Sequence, residues 1–337
     1  MNTTRLATVF TMALTSSFGF QASAETLSFA HGFSQAHYWT HQIIEPWMEC
    51  VKEGSNNEVE FDYFPGGQIV KYADSLDAMN NGLTQISTIS VGYVSSQMPL
   101  NGVSMLPDMG ATSSEMTTAY RKMLDDGSPL VDEFSKNRVH TLIINMLPAY
   151  QLITLDGSIS SLDDLGGKVI RSSGGALTLT LNALGVAPAE MPSSELYVAL
   201  QRGAVDGALS AISSIKPYNL QELIKGVSTN GVFGSFSTLL SMDLATYEGL
   251  SPELQTTFDD CGLQVERNVA QFLDKENEVL KTELADMGIE VYEFPPEMSE
   301  AMVEMLKPVA DEYIERTSAQ GVPSQEVYDA YRAALGN

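Results

Sequence analysis

From Ser251 to Gly288 the chain holds no proline after Pro252, and Leu254, Phe258, Cys261, Val265, Val269, Phe272, Leu280 and Leu284 recur at intervals of three, four or eight. That spacing lays one apolar stripe along a helix. Ser251 suits its cap, Pro252 its first position and Glu253 its positive end, and Gly288 suits its stop. Roughly 35 residues rising about 1.5 Å each extend for about 50 Å. A single small lobe is narrower than that, so the helix is expected to cross between two folded halves.

The remainder alternates strand and helix. ETLSFAHGF reads as a strand, IEPWMECVKEG as a helix closing on Gly54, VEFDYF as a strand turned at Pro65-Gly66-Gly67, YADSLDAMNNGL as a helix and QISTISVGYV as a strand. Thr112 and Glu115 mark a capped helix start, and HTLIINML reads as a buried strand. Near Pro148 a second round begins: a capped turn at Ser161–Asp164, the strand KVIRSS, a helix to Gly185, a helix SELYVALQRG and the strand AVDGALSA. Such alternation predicts an α/β fold in two lobes. The expected organisation is a signal peptide at 1–24, lobe I at 25–148 plus 236–275, and lobe II at 149–235 plus 276–337.

The leader is expected because Arg5 precedes an apolar run to Phe20, and Ala22-Ser23-Ala24 offers a cleavage site before Glu25. Export to the periplasm would place Cys50 and Cys261 in an oxidising compartment; a disulfide and two separate buried thiols both remain open. The 337 residues include 18 Lys+Arg against 43 Asp+Glu, a net charge of −25. A field of that sign repels nucleic acid and anionic lipid, so neither is an expected partner. An anionic ligand would need a local, well-placed cation.

Enzyme motifs are scarce. Four His and two isolated Cys offer no zinc spacing, no nucleotide-binding glycine pattern stands in strand-to-helix context, and neither metal nor cofactor is expected. Ser213-Ser-Ile-Lys216 matches the SxxK nucleophile pattern, but the companion Ser-Asp-Asn and Lys-Thr-Gly elements are missing. A rival reading is a periplasmic enzyme using Glu195 or Asp206, both of which have structural duties available at a helix start and a strand return.

Four segments stand out together: Phe64-Pro-Gly-Gly-Gln-Ile69, Asp164-Leu-Gly-Gly-Lys168-Val-Ile-Arg171, Leu184-Gly-Val-Ala-Pro188 and Glu195-Leu-Tyr-Val-Ala-Leu-Gln-Arg-Gly-Ala-Val-Asp-Gly207. They resemble the DctP-type solute-binding proteins of tripartite ATP-independent periplasmic (TRAP) transporters, and the likeness runs nearly end to end after residue 24. The resemblance implies a type II-like fold of two lobes that close on a small organic acid, and delivery of that acid to the TRAP membrane permease subunits by a monomer. A sensory receptor of a membrane kinase with the same fold is the other non-enzymatic reading.

By the same resemblance Arg171 grips the ligand carboxylate, a task for which a planar guanidinium fork is suited. Gln151 stands where sialic-acid-binding relatives carry a second arginine, Ser210 where the family has an asparagine, and Gly174 where an asparagine follows the principal arginine. His31, Tyr72, Ser90 and Tyr93 occupy first-lobe ligand positions, and Ser193 completes the expected set. One cation, several hydroxyls and two tyrosine rings suit a monocarboxylate with an apolar or aromatic body and, to match those hydroxyls, a hydroxyl of its own. Tyr38 and Trp39 are expected at the rim or in helix packing.

Overall fold

A computed structural model describes residues 25–336, and the expected leader at 1–24 lies outside the described residues. Strands β1 (Glu25–Ala30), β2 (Val59–Phe64), β3 (Ile86–Ser90) and β4 (Val139–Met146) belong to a first sheet. A second sheet holds β5 (Gln151–Thr154), β6 (Val169–Ser172), β7 (Ala187–Glu190), β8 (Gly207–Ser210) and β9 (Gly226–Ser228). The chain then returns to the first sheet as β10 (Ser237–Asp243) and ends its strands in the second as β11 (Glu290–Tyr292). The orders are β2-β1-β3-β10-β4 and β11-β9-β5-β8-β6-β7. In the first sheet β10 runs antiparallel between β3 and β4, and in the second β5 runs antiparallel between β8 and β9. Helices and short turns fill the connections, so the α/β architecture expected from the alternation is present.

The long helix spans Pro252–Asp286, 35 residues, with Ser251 Oγ accepting from Leu254 N. Its apolar stripe serves two cores. Phe258, Cys261, Val265, Val269 and Leu273 pack in the core of the first sheet, whereas Leu280 and Leu284 pack with Ile153, Leu196, Leu200 and Val227 in the second. Gly262 is where helix and β4 approach most tightly: a Cβ there would sit 2.4 Å from Leu142 O. Polar groups pin the same surface. Glu266 accepts from Arg121 Nε at 3.0 Å and from Ile144 N at 2.7 Å, and Asp274 accepts from the Ser113 and Ser114 amides that start the helix Ser113–Asp125.

Cys50 and Cys261 are joined in a disulfide with Cα atoms 5.8 Å apart, which settles the choice the sequence leaves open. The bridge ties the helix Glu45–Gly54 to the long helix, beside a bond from Trp47 Nε1 to Phe258 O at 3.3 Å. At the C-terminus, the helix Ser324–Leu335 packs back on Ser113–Asp125, with the Tyr331 and Tyr120 rings 6.5 Å apart. Tyr313 donates to the carbonyl of Pro99 at 2.6 Å, so the terminal helices touch the first lobe as well as the second.

The strand expected over Gln85–Val94 ends at Ser90, and residues Val91–Val94 form a tight helical turn. Gly92 in that turn lies where the two lobes meet. A Cβ on it would lie 2.6 Å from the Phe236 ring and 2.9 Å from Ser173 O of the other lobe, so only glycine allows the two lobes to approach this closely. The turn carries Tyr93 into the gap between the sheets.

Candidate functional site

Arg171 sits near the end of β6, flanked in register by Ala208 of β8 and Ala189 of β7. Small neighbours on both sides leave room for its long side chain. Nε donates to Met191 O at 3.0 Å and Nη1 to Leu209 O at 3.3 Å, and these two carbonyls hold the guanidinium plane from behind. Nη2 donates forward to Ser193 Oγ at 3.1 Å and to Tyr93 Oη at 3.3 Å. Tyr93 Oη also accepts from Ser193 N at 3.0 Å, so one hydroxyl of the first lobe meets both the cation and a helix start of the second.

Arg171 has 0% exposure, and among the described residues none of its partners is a carboxylate. Burying a cation without a counter-ion costs several kcal/mol even after relaxation. Neutral carbonyl and hydroxyl dipoles offset part of that cost, and an organic anion would supply the rest. Its chemistry suits an anion.

Five tyrosines gather around it: Tyr38, Tyr72, Tyr93, Tyr150 and Tyr218. Burial pushes the hydroxyls of Tyr38, Tyr72, Tyr150 and Tyr218 well above the usual tyrosine range, while the Arg171 charge pulls Tyr150 and Tyr218 the other way. Those four therefore stay neutral, each hydroxyl able to donate one bond and to accept as well. Their rings interlock with Phe33, His37 and Phe236. Tyr72 meets Tyr93 edge-on at 5.3 Å and Phe33 at 4.6 Å, Tyr93 lies 5.3 Å from Phe236, and His37 meets Tyr218 across the gap at 5.4 Å. Ser173 Oγ, one strand end from Arg171, is buried with no protein partner.

The expected residues divide. Arg171, Ser193 and Tyr93 are bonded to one another, Tyr72 packs on Tyr93, and Ser90 bonds to Thr238 at 3.0 Å in the row of hydroxyls beneath Tyr72. Gly174 lies across from Gly92, where a Cβ would be 3.0 Å from Gly92 O, so it is a lobe-to-lobe contact with no side chain to offer. Ser210 makes only a long bond to the carbonyl of Ala211 at 3.5 Å. Gln151 is committed within its own lobe: its amide donates to Ala149 O and Gly231 O and accepts from Ser228 Oγ and Gly231 N. The neighbouring residue, Tyr150, just before β5, is the one whose hydroxyl the Arg171 charge acts on. His31 is likewise spent, its Nε2 bonded to Tyr63 Oη at 2.8 Å and its Nδ1 accepting from Phe33 N at 3.1 Å. Trp39 stacks on Phe33 at 5.0 Å and is packing. Tyr150, Tyr218, His37, Asn145 and Ser173 escaped the sequence reading; the only local sign was Pro148-Ala-Tyr150 at the chain's passage between lobes.

His31 and His37 share a motif in which Nδ1 accepts from the amide two residues on, Phe33 N and Trp39 N respectively, and such a nitrogen cannot carry a proton. Burial lowers His31 to about 4; burial and then the charge of His31 lower His37 to about 3. Below about pH 6.5 the unfolded chain binds protons that the folded one refuses, so this stability is intact above 6.5 and falls as pH drops toward 4. Each group is expected to remove about 3 kcal/mol by pH 4. Urea titrations across this range check it: His37→Gln should show a shallower acid limb, and an identical limb would refute the assignment.

Two of the residues that could serve an enzyme are engaged elsewhere. Asp206 accepts from Val169 N at 2.7 Å, and Lys216 of the SxxK match is ion-paired to Glu283. Among the described residues no three His, Cys, Asp or Glu side chains gather as a metal site, and no helix is long and apolar enough to cross a membrane.

The chain is similar to known proteins. Residues 29–317 match the DctP family, bacterial extracellular solute-binding protein, family 7. The ectoine-binding periplasmic protein TeaA of Halomonas elongata is 27% identical over 294 residues, covering 85% of this chain and 83% of TeaA. A marine metagenome TRAP solute-binding protein specific for aromatic acid ligands, crystallised with 3-hydroxybenzoate, superposes with a TM-score of 0.86 at 20% identity, covering 93% of this chain and 98% of that one. A TRAP solute-binding protein from Rhodoferax ferrireducens with copurified benzoate gives 0.85 at 21% identity, covering 93% and 98%. These structural likenesses carry the two-lobed fold.

Proposed function

Because this chain belongs to the bacterial extracellular solute-binding proteins of family 7, the DctP receptors of TRAP transporters, we propose that the organic acid it binds is a monocarboxylate with an aromatic body, gripped through Arg171. The family is periplasmic and made of receptors that hand small organic ligands to a membrane permease. The observation that supports the aromatic reading is a fully buried guanidinium, without a carboxylate partner, walled by tyrosine and phenylalanine rings. Rings supply apolar area against an aromatic body, and neutral hydroxyls surround its polar edge without adding charge. A dicarboxylate would need a second cation, and among the described residues none bonds to this group of tyrosines. The two solved structures described above, which hold 3-hydroxybenzoate and benzoate, agree with that reading.

In this reading the chain binds without converting its ligand and works as a monomer; one chain contributes both walls of the site, so no second copy is needed to complete it. Lobe closure is the working motion: Tyr93 and Gly92 of one lobe against Ser193, Arg171 and Gly174 of the other. A thermal-shift panel of benzoates, mandelate, C4-dicarboxylates, sulfonates and sugar acids tests the ligand class. An aromatic acid present at 100 times its Kd should add about 2.7 kcal/mol and raise the melting temperature by several degrees. Stabilisation by dicarboxylates alone overturns the reading, and conversion of a bound acid on long incubation would overturn the purely binding role.

A further inference from the structure

Strand β4 reads Val139-His-Thr-Leu-Ile-Ile-Asn-Met146, and Asn145 interrupts an otherwise apolar run of five residues from Leu142. The side chain is 1% exposed. In register, Asn145 pairs with Thr238 of β10, which pairs with Ser90 of β3, and paired residues of antiparallel neighbours share a face. Asn145 thus extends the hydroxyl row that lies under Tyr72, on the wall of the first lobe. Its Oδ1 accepts from Tyr38 Oη at 2.9 Å, and its Nδ2 has no partner. Turning the amide over does not remove the problem: Nδ2 would then face Tyr38 and Oδ1 would be left alone. Either way round, one buried polar atom of Asn145 is unused, and such an atom is costly unless something outside the protein meets it.

We propose that Asn145, positioned by Tyr38, reads a hydroxyl on the aromatic body of the ligand, on the wall opposite the Arg171 grip. The inference rests on the aromatic monocarboxylate reading and adds its substitution: a hydroxybenzoate-type acid rather than an unsubstituted one. A phenolic hydroxyl satisfies either orientation of the amide, accepting from Nδ2 or donating to Oδ1. Tyr38 Oη uses one end of the amide, and the other end is left for the ligand.

Calorimetry with benzoate, 3-hydroxybenzoate and 4-hydroxybenzoate tests this through one quantity, the affinity ratio of the better hydroxybenzoate to benzoate on the same protein. Because both ligands meet the same preparation, any misfolded fraction cancels. The ratio is expected to be about 10 or more in the wild type and to fall to about 1 in Asn145→Leu. Tyr38→Phe, a milder change that removes the orienting bond, is expected to reduce it several-fold, and it keeps the test valid should the leucine variant not fold. A wild-type ratio near 1, or a ratio unchanged in both variants, overturns the role of Asn145 while leaving the aromatic reading in place. If the wild type binds none of the three acids, the aromatic reading and this inference fall together.

Discussion

Arg171→Ala is expected to weaken binding of the carboxylate ligand by about 2–5 kcal/mol, or roughly 30-fold to several thousand-fold in Kd. The size follows from burial. In a site without water access, the ligand's carboxylate would be left facing carbonyls and hydroxyls with no cation to offset its lost hydration. Arg171→Lys separates charge from geometry. Lysine keeps a positive end but cannot bond Met191 O and Leu209 O behind while also donating forward to Ser193 Oγ and Tyr93 Oη, so an intermediate loss is expected. Titration calorimetry on both variants, with melting curves to show that each is folded, makes the comparison. Undiminished affinity in Arg171→Ala would mean that the acid group is held elsewhere and would remove the premise of the proposed function.

Cys50→Ala/Cys261→Ala is expected to lower the stability of the folded chain by about 2–5 kcal/mol. The bridge spans 211 residues of sequence, so it restricts the unfolded chain over most of its length. Ligand affinity in the folded fraction should persist, because the bridge lies between the helix Glu45–Gly54 and the first third of the long helix, whereas the Arg171 site lies between the sheets. Denaturant unfolding of wild type with and without reductant, beside the double variant, measures the effect. Coincident unfolding midpoints would show that Trp47, Phe258 and their neighbours hold this joint without the covalent link. Loss of affinity at full folding would show instead that the joint controls lobe closure.

Local patterns determined much of this protein. The apolar stripe from Leu254 to Leu284 has a helical period and a length that one lobe cannot cover, and it does serve two cores. Strand and helix alternation, the caps at Ser251 and Ser161, and the linked motifs around Arg171 are all written in residues close together in the chain. Arg171 could therefore be singled out from sequence as the candidate cation. Tertiary structure alone decided what surrounds it. A one-residue step separates Gln151, locked into its own lobe, from Tyr150, whose hydroxyl feels the Arg171 charge, and the period of two in a strand reverses the face at each step. His31 could be assigned only once Tyr63 and the amide of Phe33 were seen to use both its nitrogens, and Cys50 and Cys261 only once the two helices were side by side. Asn145, Tyr38 and Tyr218 come from segments more than 70 residues apart. No sequence period links them, because what brings them together is the packing of two sheets and the closing of one lobe on the other.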